Sequence, residues 1–412
     1  MEKVQALVVG GGQAGIAMSE HLQRIGLQHV VLEKARIAEN WRTARWDSLV
    51  ANGPAWHDRF PNRTFSSDPD GFPGKEEVAD YMAGYAAQIN APIRTGVTVT
   101  KVRRLDSRAG FRVETSAGDF EADYVISATG PFQKPVIPQM VEDPAITQLH
   151  STAYRNPQSL PEGGVLVVGA GSSGAQIAEE LRRAGRKTWI AVGPHGRPPR
   201  AYRGRDFCWW LGVLNKWDME YQPGNEHVTI AVSGAYGGRT MDFRRLAHEG
   251  LILTGRAEAY DNGVMTFAND LAANIAKGDA DYLAVLAEAD AFVTAHGLTL
   301  PEEPEAHVIP PDPDCVTHPI RSLDLKAEGI RTIIWATGFE NDYSWLDVPV
   351  VKDNKPQHKR GVTDVTGFYF VGLPWLSRRG SAFIWGVWHD AKFVADHIDK
   401  LQNYLAYQGA AE

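Results

Sequence analysis

Cysteine is nearly absent: the 412-residue chain has two, Cys208 and Cys315, far apart and outside any CxxC pair. That excludes a disulfide framework and a dithiol redox centre, and it fits a reducing, cytoplasmic setting. Long apolar runs are missing too. No stretch approaches the roughly 18 residues that span a bilayer, so no membrane partner is expected. The 13 histidines show no HxH or HExxH spacing, which leaves a metal site without support. Net positive charge is also lacking. The formal charge is −8, whereas nucleic-acid binding relies on a basic surface, so no nucleic-acid partner is expected. Low-complexity tracts are absent, and 43% hydrophobic against 22% charged residues is the balance of a folded chain long enough for two domains. A strand-like run, Val4 to Val9, starts almost at once, and no targeting segment is expected before it.

What is present is punctuated by glycine. After Val4–Val9 comes Gly10-Gly11-Gly12-Gln13-Ala14-Gly15, a helical stretch through Ile25, and a strand His29–Leu32 ending in Glu33. This is strand, GxGxxG, helix, strand, acid. Gly10 permits the tight turn, Gly12 lets the backbone approach a pyrophosphate, and Gly15 lets helix and strand pack closely. The helix N-terminus then faces the pyrophosphate, and Glu33 can accept hydrogen bonds from the ribose hydroxyls of an adenosine. Gln13, Ala14 and Lys34 are counted with this site.

A second copy follows. Strand Val165–Val168 leads into Gly169-Ala170-Gly171-Ser172-Ser173-Gly174, a helix through Arg183 and a strand Lys187–Val192. No acid stands at its end: Val192 holds the ribose position, followed by Gly193, Pro194 and His195. A carboxylate there would repel a 2′-phosphate, whereas Arg197, Arg200, Arg203 and Arg205 downstream can meet one through charge-assisted contacts. This favours NADPH over NADH. If those arginines form only a solvated loop, either cofactor is acceptable.

Two further apolar strands end alike, Tyr124–Ser127 running into Ala128-Thr129-Gly130 and Thr332–Trp335 into Ala336-Thr337-Gly338-Phe339. Because the second GxGxxG unit lies between them, the simplest topology inserts one dinucleotide domain into the other, with these segments as crossings. The expected fold is α/β with two Rossmann-like domains: residues 1–130 and 336–412 form the FAD-binding domain, and 131–335 form the inserted NAD(P)H-binding domain. Thr129, Gly130, Gly338 and Phe339 join the candidate cofactor residues. Leu271–Ala295 has helical periodicity, and Pro301–Pro313 reads as an extended return path.

With these units on the page, the chain resembles the flavin-containing monooxygenases, the group that includes trimethylamine monooxygenases and the related Baeyer–Villiger enzymes. Trp41-Arg42 is similar to the family's flavin-contacting tryptophan segment, Leu49–Pro54 to its SNGP stretch, and Phe72–Val78 to the segment before its next helix. Leu149–Tyr154 matches the second half of the FxGxxxHxxx(Y/F) signature, while Pro144 and Ile146 depart from the first half, as suits a divergent bacterial branch. The resemblance implies FAD in the first domain, NADPH in the inserted one, and O2 with a small organic molecule as substrates, oxygenated at N, S or a heteroaromatic carbon through a C4a-hydroperoxyflavin. It assigns Trp41, Arg42, Val102, His150 and Tyr154 to cofactor contacts. Asn52 is the candidate catalytic residue, a neutral amide that donates a hydrogen bond without offering an acid; read from spacing alone, Asn52-Gly53-Pro54 is an ordinary turn. Baeyer–Villiger oxygenation is one alternative, with Arg239, Arg244 or Arg245 as the arginine it calls for, and an FAD-dependent NAD(P)H reductase is another.

Near the end, Arg378-Arg379-Gly380-Ser381 precedes a helix with apolar residues at Ile384, Val387, Trp388, Ala391, Val394 and Ile398. Ser381 is the expected N-cap and a candidate flavin neighbour, if the helix points its N-terminus at the flavin rather than merely docking on the sheet. Of the 12 tryptophans, Trp209, Trp210, Trp217, Trp375, Trp385 and Trp388 either wall an apolar substrate pocket or fill the core. No general acid or base stands out, and a homodimer is one open arrangement.

Overall fold

The computed structural model describes residues 1–106, 108–223 and 229–407. The chain opens with β1 (Glu2–Val9), α1 (Gln13–Arg24), β2 (His29–Glu33), the short α2 (Glu39–Thr43) and α3 (Lys75–Gln88). β3 (Ile93–Thr95), β4 (Val99–Arg104), β5 (Phe111–Thr115) and β6 (Phe120–Ser127) complete this portion. β1 pairs in parallel with both β2 and β6, and its run Ala6-Leu7-Val8-Val9 is buried throughout, as a strand covered on both faces must be.

β7 (Lys134–Pro135) then leads to a second sheet. Its strands are β8 (Thr147–His150), β9 (Gly164–Val168), β10 (Thr188–Ala191), β11 (Ile252–Thr254) and β12 (Ile330–Trp335). All four pairings in the order β11-β10-β9-β12-β8 are parallel. Helix α4 (Ser172–Arg183) follows β9, and α5 (Phe207–Val213), α6 (Phe243–His248) and α7 (Leu271–His296) lie further along. The return path over Pro301–Pro313 is interrupted by a 3-10 turn at Pro304–His307.

The chain crosses back through β13 (Phe339–Glu340), which pairs antiparallel with β7. β14 (Leu346–Asp347) and β15 (Phe368–Phe370) rejoin the first sheet, on β4 and β6 respectively. The nucleotide domain is thus inserted into the first. The two crossings form a paired ribbon, reinforced where Val136 N donates to Gly338 O (3.1 Å) and Thr337 Oγ1 to Val136 O (2.5 Å).

Helix α8 (Ile384–Ala406) closes the first domain by packing on α1. Ile384, Val387, Ala391, Val394 and Ile398 are all buried, so the apolar spacing marks the docked face. Ser381 departs from its expected place. The helix begins at Ile384, and Ser381 lies in a 3-10 turn, Arg379–Ala382, where its Oγ accepts from the backbone N–H of Ser377 (3.0 Å) and Arg378 (3.1 Å). It caps that turn, leaving α8 without a side-chain cap.

Candidate active site

The two GxGxxG loops have nearly superposable steric logic. Gly10 has φ +112° with Ala128 O 2.6 Å from where a Cβ would sit, and Gly169 has φ +119° with Ala336 O at 2.4 Å. A Cβ on Gly15 would lie 1.8 Å from Gly10 O, and one on Gly174 1.9 Å from Gly169 O. Each loop therefore closes only with glycine at its first and last positions, which sets the helix against the strand. Gly12 faces open space. Gly12 and Gly171, the N-cap residues of α1 and α4, supply no side-chain cap, and neither first turn holds an acid. Unsatisfied N–H groups thus point out of both helices, the arrangement that receives a pyrophosphate.

The rest of the first nucleotide site is equally receptive. Glu33 Oε2 accepts from Gly11 N (2.7 Å) and Oε1 from Ala35 N (2.9 Å), which fixes the carboxylate while each oxygen keeps a lone pair for a ribose hydroxyl. Lys34 beside it is exposed. Gln13 donates to Ala382 O (2.5 Å), tying the phosphate loop to the turn before α8, and Ala14 is packed beneath Gly372. In the second unit, Ser172 Oγ donates to Ile230 O (2.9 Å), while Ser173 is half-buried at the helix start.

Asn52 is exposed at the rim between the two domains. Its Oδ1 accepts from Gln176 Nε2 (2.9 Å), which also donates to the Val232 carbonyl (2.7 Å). A carbonyl can only accept, so Gln176 must turn its NH2 this way, and Asn52 must answer with oxygen. Its Nδ2 is consequently left to donate. Arg200 fixes the backbone of the same residue through NH1 to Asn52 O (2.5 Å). Beyond Asn52, Gly53 N donates to Asp58 Oδ2 (3.1 Å), and Asp58 Oδ1 holds His57 Nδ1 at 2.8 Å. The His57 ring stacks on Trp217 (5.0 Å) and meets Trp385 (5.2 Å) and Trp56 (5.3 Å) edge-on. Residues of both domains therefore meet around one aromatic wall.

Several anticipated contacts fall elsewhere. Arg197 and Arg200 do not lie on an open loop: both are buried, Arg197 between Asp242 (2.9 Å) and Asp279 (3.0 Å), Arg200 against Asp206 (2.7 and 2.8 Å). Their charge is spent on carboxylates, which removes them as partners of a 2′-phosphate. Arg203 is paired likewise with Asp290 (2.8 Å). Arg256 lies at the end of β10, its side-chain stem 3.3 Å from where a Cβ on Gly193 would sit; its Nε is paired with Asp270 (2.7 Å), but unlike the buried arginines its side chain is 60% exposed.

Arg42 is held by Glu76 (2.7 Å) and Asp80 (2.6 Å), and Trp41 packs between the cores of the two domains. The Val102 side chain lies in the core and its N–H donates to Trp345 O. Tyr154 is fully buried, with its hydroxyl on Glu180 (2.8 Å) and its pKa pushed up by that burial. His150 clamps the crossing ribbon through Nε2 and Gly338 O (3.0 Å), against the Phe339 ring. Burial depresses its pKa and favours the neutral ring. Thr129 Oγ1 accepts from Gln133, beside Gly130 at φ +68°. Arg244 and Arg245 pair with Asp279, Asp312 and Glu249, while Arg239 is exposed. Sequence reasoning missed Gln176, His57, Asp58 and Arg256; Gln176 and His57 act through partners distant in the chain, Asn52 and Trp217, while Asp58 is held locally by Gly53 and His57.

Residues 7–199 match the pyridine nucleotide-disulphide oxidoreductase family model. An uncharacterised CzcO-like oxidoreductase of Geobacillus kaustophilus is 34% identical over 402 residues, covering 96% of this chain and 98% of its own. The indole-3-pyruvate monooxygenase YUCCA1 of Oryza sativa is 29% identical over 352 residues, covering 83% and 78%. Among solved structures, a flavin-containing monooxygenase from Stenotrophomonas maltophilia superposes with a TM-score of 0.67 at 21% identity, covering 98% of this chain and all of that one.

Proposed function

The chain belongs to the CzcO-like branch of the flavin-containing monooxygenases, FAD- and NAD(P)H-dependent oxidoreductases, and from that premise we propose that it inserts one atom of O2 into a small organic substrate. Bound FAD and NADPH supply the hydride and the activation of oxygen; the chain supplies binding, orientation and exclusion of water. In this reading the α1 N-terminus and Glu33 hold the FAD pyrophosphate and ribose, and the α4 N-terminus holds NADPH. Arg256 meets the 2′-phosphate at the end of β10, its pairing with Asp270 being at the surface and weak enough to yield.

The observation that carries the oxygenating role is the forced orientation of Asn52. Gln176 consumes its oxygen, so the exposed amide presents N–H alone and gives a developing oxyanion a donor with no acidic proton to lose. The absence of a carboxylic acid from this position suits a site that retains activated oxygen instead of discharging peroxide. Asp58, six residues along the chain, is engaged by Gly53 and His57. The test is rapid mixing of NADPH-reduced holoenzyme with O2. Oxygen uptake well ahead of the return of oxidised-flavin absorbance supports oxygenation; simultaneous uptake and reoxidation moves the protein to the reductase reading.

The substrate enters at the aromatic wall, where Trp217, Trp385 and His57 meet. A cytoplasmic setting is part of the proposal, since both cysteines are free thiols. Among the described residues, no helix is long and apolar enough to cross a membrane.

A further inference from the structure

Two adjacent arginines at the turn before α8 differ in one respect. Arg378 is ion-paired with Asp218. For Arg379, no carboxylate lies within ion-pairing distance and the guanidinium makes no hydrogen bond, among the described residues. Its backbone N–H is bound to Met219 O (2.9 Å), which holds the residue in place, and its guanidinium carbon lies 5.9 Å from the Trp217 ring centroid. The residue is half-buried and its guanidinium nitrogens still reach solvent, so its donors are free for a ligand, while partial desolvation lowers its pKa.

A planar fork of unpaired donors at the edge of the aromatic wall is ready to receive an anion. Its surroundings indicate which. Phe383 packs on Trp217 at 5.1 Å yet remains 38% exposed, and Met219 is also 38% exposed, so apolar surface borders the lone cation. Trp217, under the Arg379 guanidinium, stacks in turn on His57, whose partner Asp58 accepts from the backbone N–H of Gly53, next to Asn52. The cation and the aromatic wall thus adjoin the turn that carries the oriented amide.

We propose that Arg379 binds the carboxylate of the substrate and that the Trp217–Phe383 wall receives its ring, so that the enzyme acts on an aromatic organic acid. That this ligand is the oxygenated substrate rests on the monooxygenase reading above. The guanidinium fork suits a carboxylate bidentately, and a neutral amide of the same shape satisfies it poorly.

The test uses oxidised, FAD-loaded enzyme and two probes of one shape, 2-naphthylacetate and 2-naphthylacetamide, titrated against the visible flavin spectrum. The acid should bind at least about tenfold more tightly than the amide. Arg379→Gln should erase that preference, and Arg379→Lys should keep part of it. Equal affinity for the two probes, binding of neither, or a preference that survives Arg379→Gln would overturn the proposal. Should Arg379→Gln fail to fold, the wild-type comparison and Arg379→Lys still decide. Neither NADPH nor O2 enters the titration. Loss of acid binding with delayed reoxidation intact therefore refutes the substrate class alone, and tight acid binding with prompt reoxidation refutes oxygenation alone.

Discussion

Replacing Gln176 with leucine separates the orientation of Asn52 from its presence. The leucine keeps much of the side-chain volume but removes the Nε2 group that donates to Asn52 Oδ1 (2.9 Å) and to Val232 O (2.7 Å). Two effects follow, and they are measured differently. Loss of the bond to Val232 leaves a buried carbonyl unsatisfied, a stability cost of about 1–3 kcal/mol that thermal unfolding reports. Loss of the bond to Asn52 lets its amide turn oxygen for nitrogen, at the net value of one hydrogen bond, about 0.5–1.5 kcal/mol. The interval between oxygen uptake and flavin reoxidation should shorten by about twofold to tenfold. Asn52→Ala removes the donor itself, worth about 2.7–4 kcal/mol in comparable oxyanion sites, so the same interval should shorten by about two orders of magnitude. Flavin reduction by NADPH should be unchanged in both. The discriminating result is the double variant: with residue 52 already alanine, Gln176→Leu has no amide to orient and should add nothing to the interval. A further shortening in that background, or no effect of Gln176→Leu alone, refutes the orientation argument.

Glu33→Ala should weaken FAD retention while leaving the second nucleotide site intact, and full flavin occupancy after gel filtration would contradict the role given to this carboxylate. Arg256→Ala should raise the KM for NADPH by about one to two decades and leave that for NADH nearly unchanged, since one charge-assisted phosphate contact is lost; equal effects on both would return the preference to another residue. His21 is buried against Trp388 (4.3 Å) with an unpartnered Nε2, and burial lowers its pKa from 6.5 to about 4. The folded state therefore prefers the neutral ring, so its contribution is fully present above pH 6.5 and declines as the pH falls to about 4. The total is about 3 kcal/mol, and His21→Leu should flatten the fall of Tm across that window; an unchanged profile would place the acid sensitivity in other groups.

The parts of this fold that the sequence discloses are those set by local sterics. Gly10, Gly15, Gly169 and Gly174 are written into the chain because each turn admits no Cβ, and the strands around them are buried on both faces and read as continuous apolar runs. The apolar positions of α8 are legible for the same reason. Electrostatic partnership is not local. Arg197 reads as available until Asp242 and Asp279 arrive from two distant helical segments, and Arg42 until α3 brings Glu76 and Asp80 beside it. Gln176 lies 124 residues from Asn52, on a helix the sequence assigns to the other cofactor. Ser381 failed as a cap through competition: the preceding turn offers its hydroxyl two backbone N–H groups before α8 begins.

The antiparallel pairing of β7 with β13 bears on how the two domains can move and be exchanged. Two separate tethers would let the inserted domain swing about many axes. Bonded to each other, they act as one strap, stiff to spreading and compliant to twist, so reorientation of the NADPH domain over the flavin should be a rotation about the strap's length. His150, gripping Gly338 from within the inserted domain, sets where that rotation pivots. A chimaera that borrows its nucleotide domain from a relative would then inherit its angle of approach only if both strands of the strap and the histidine are transplanted together.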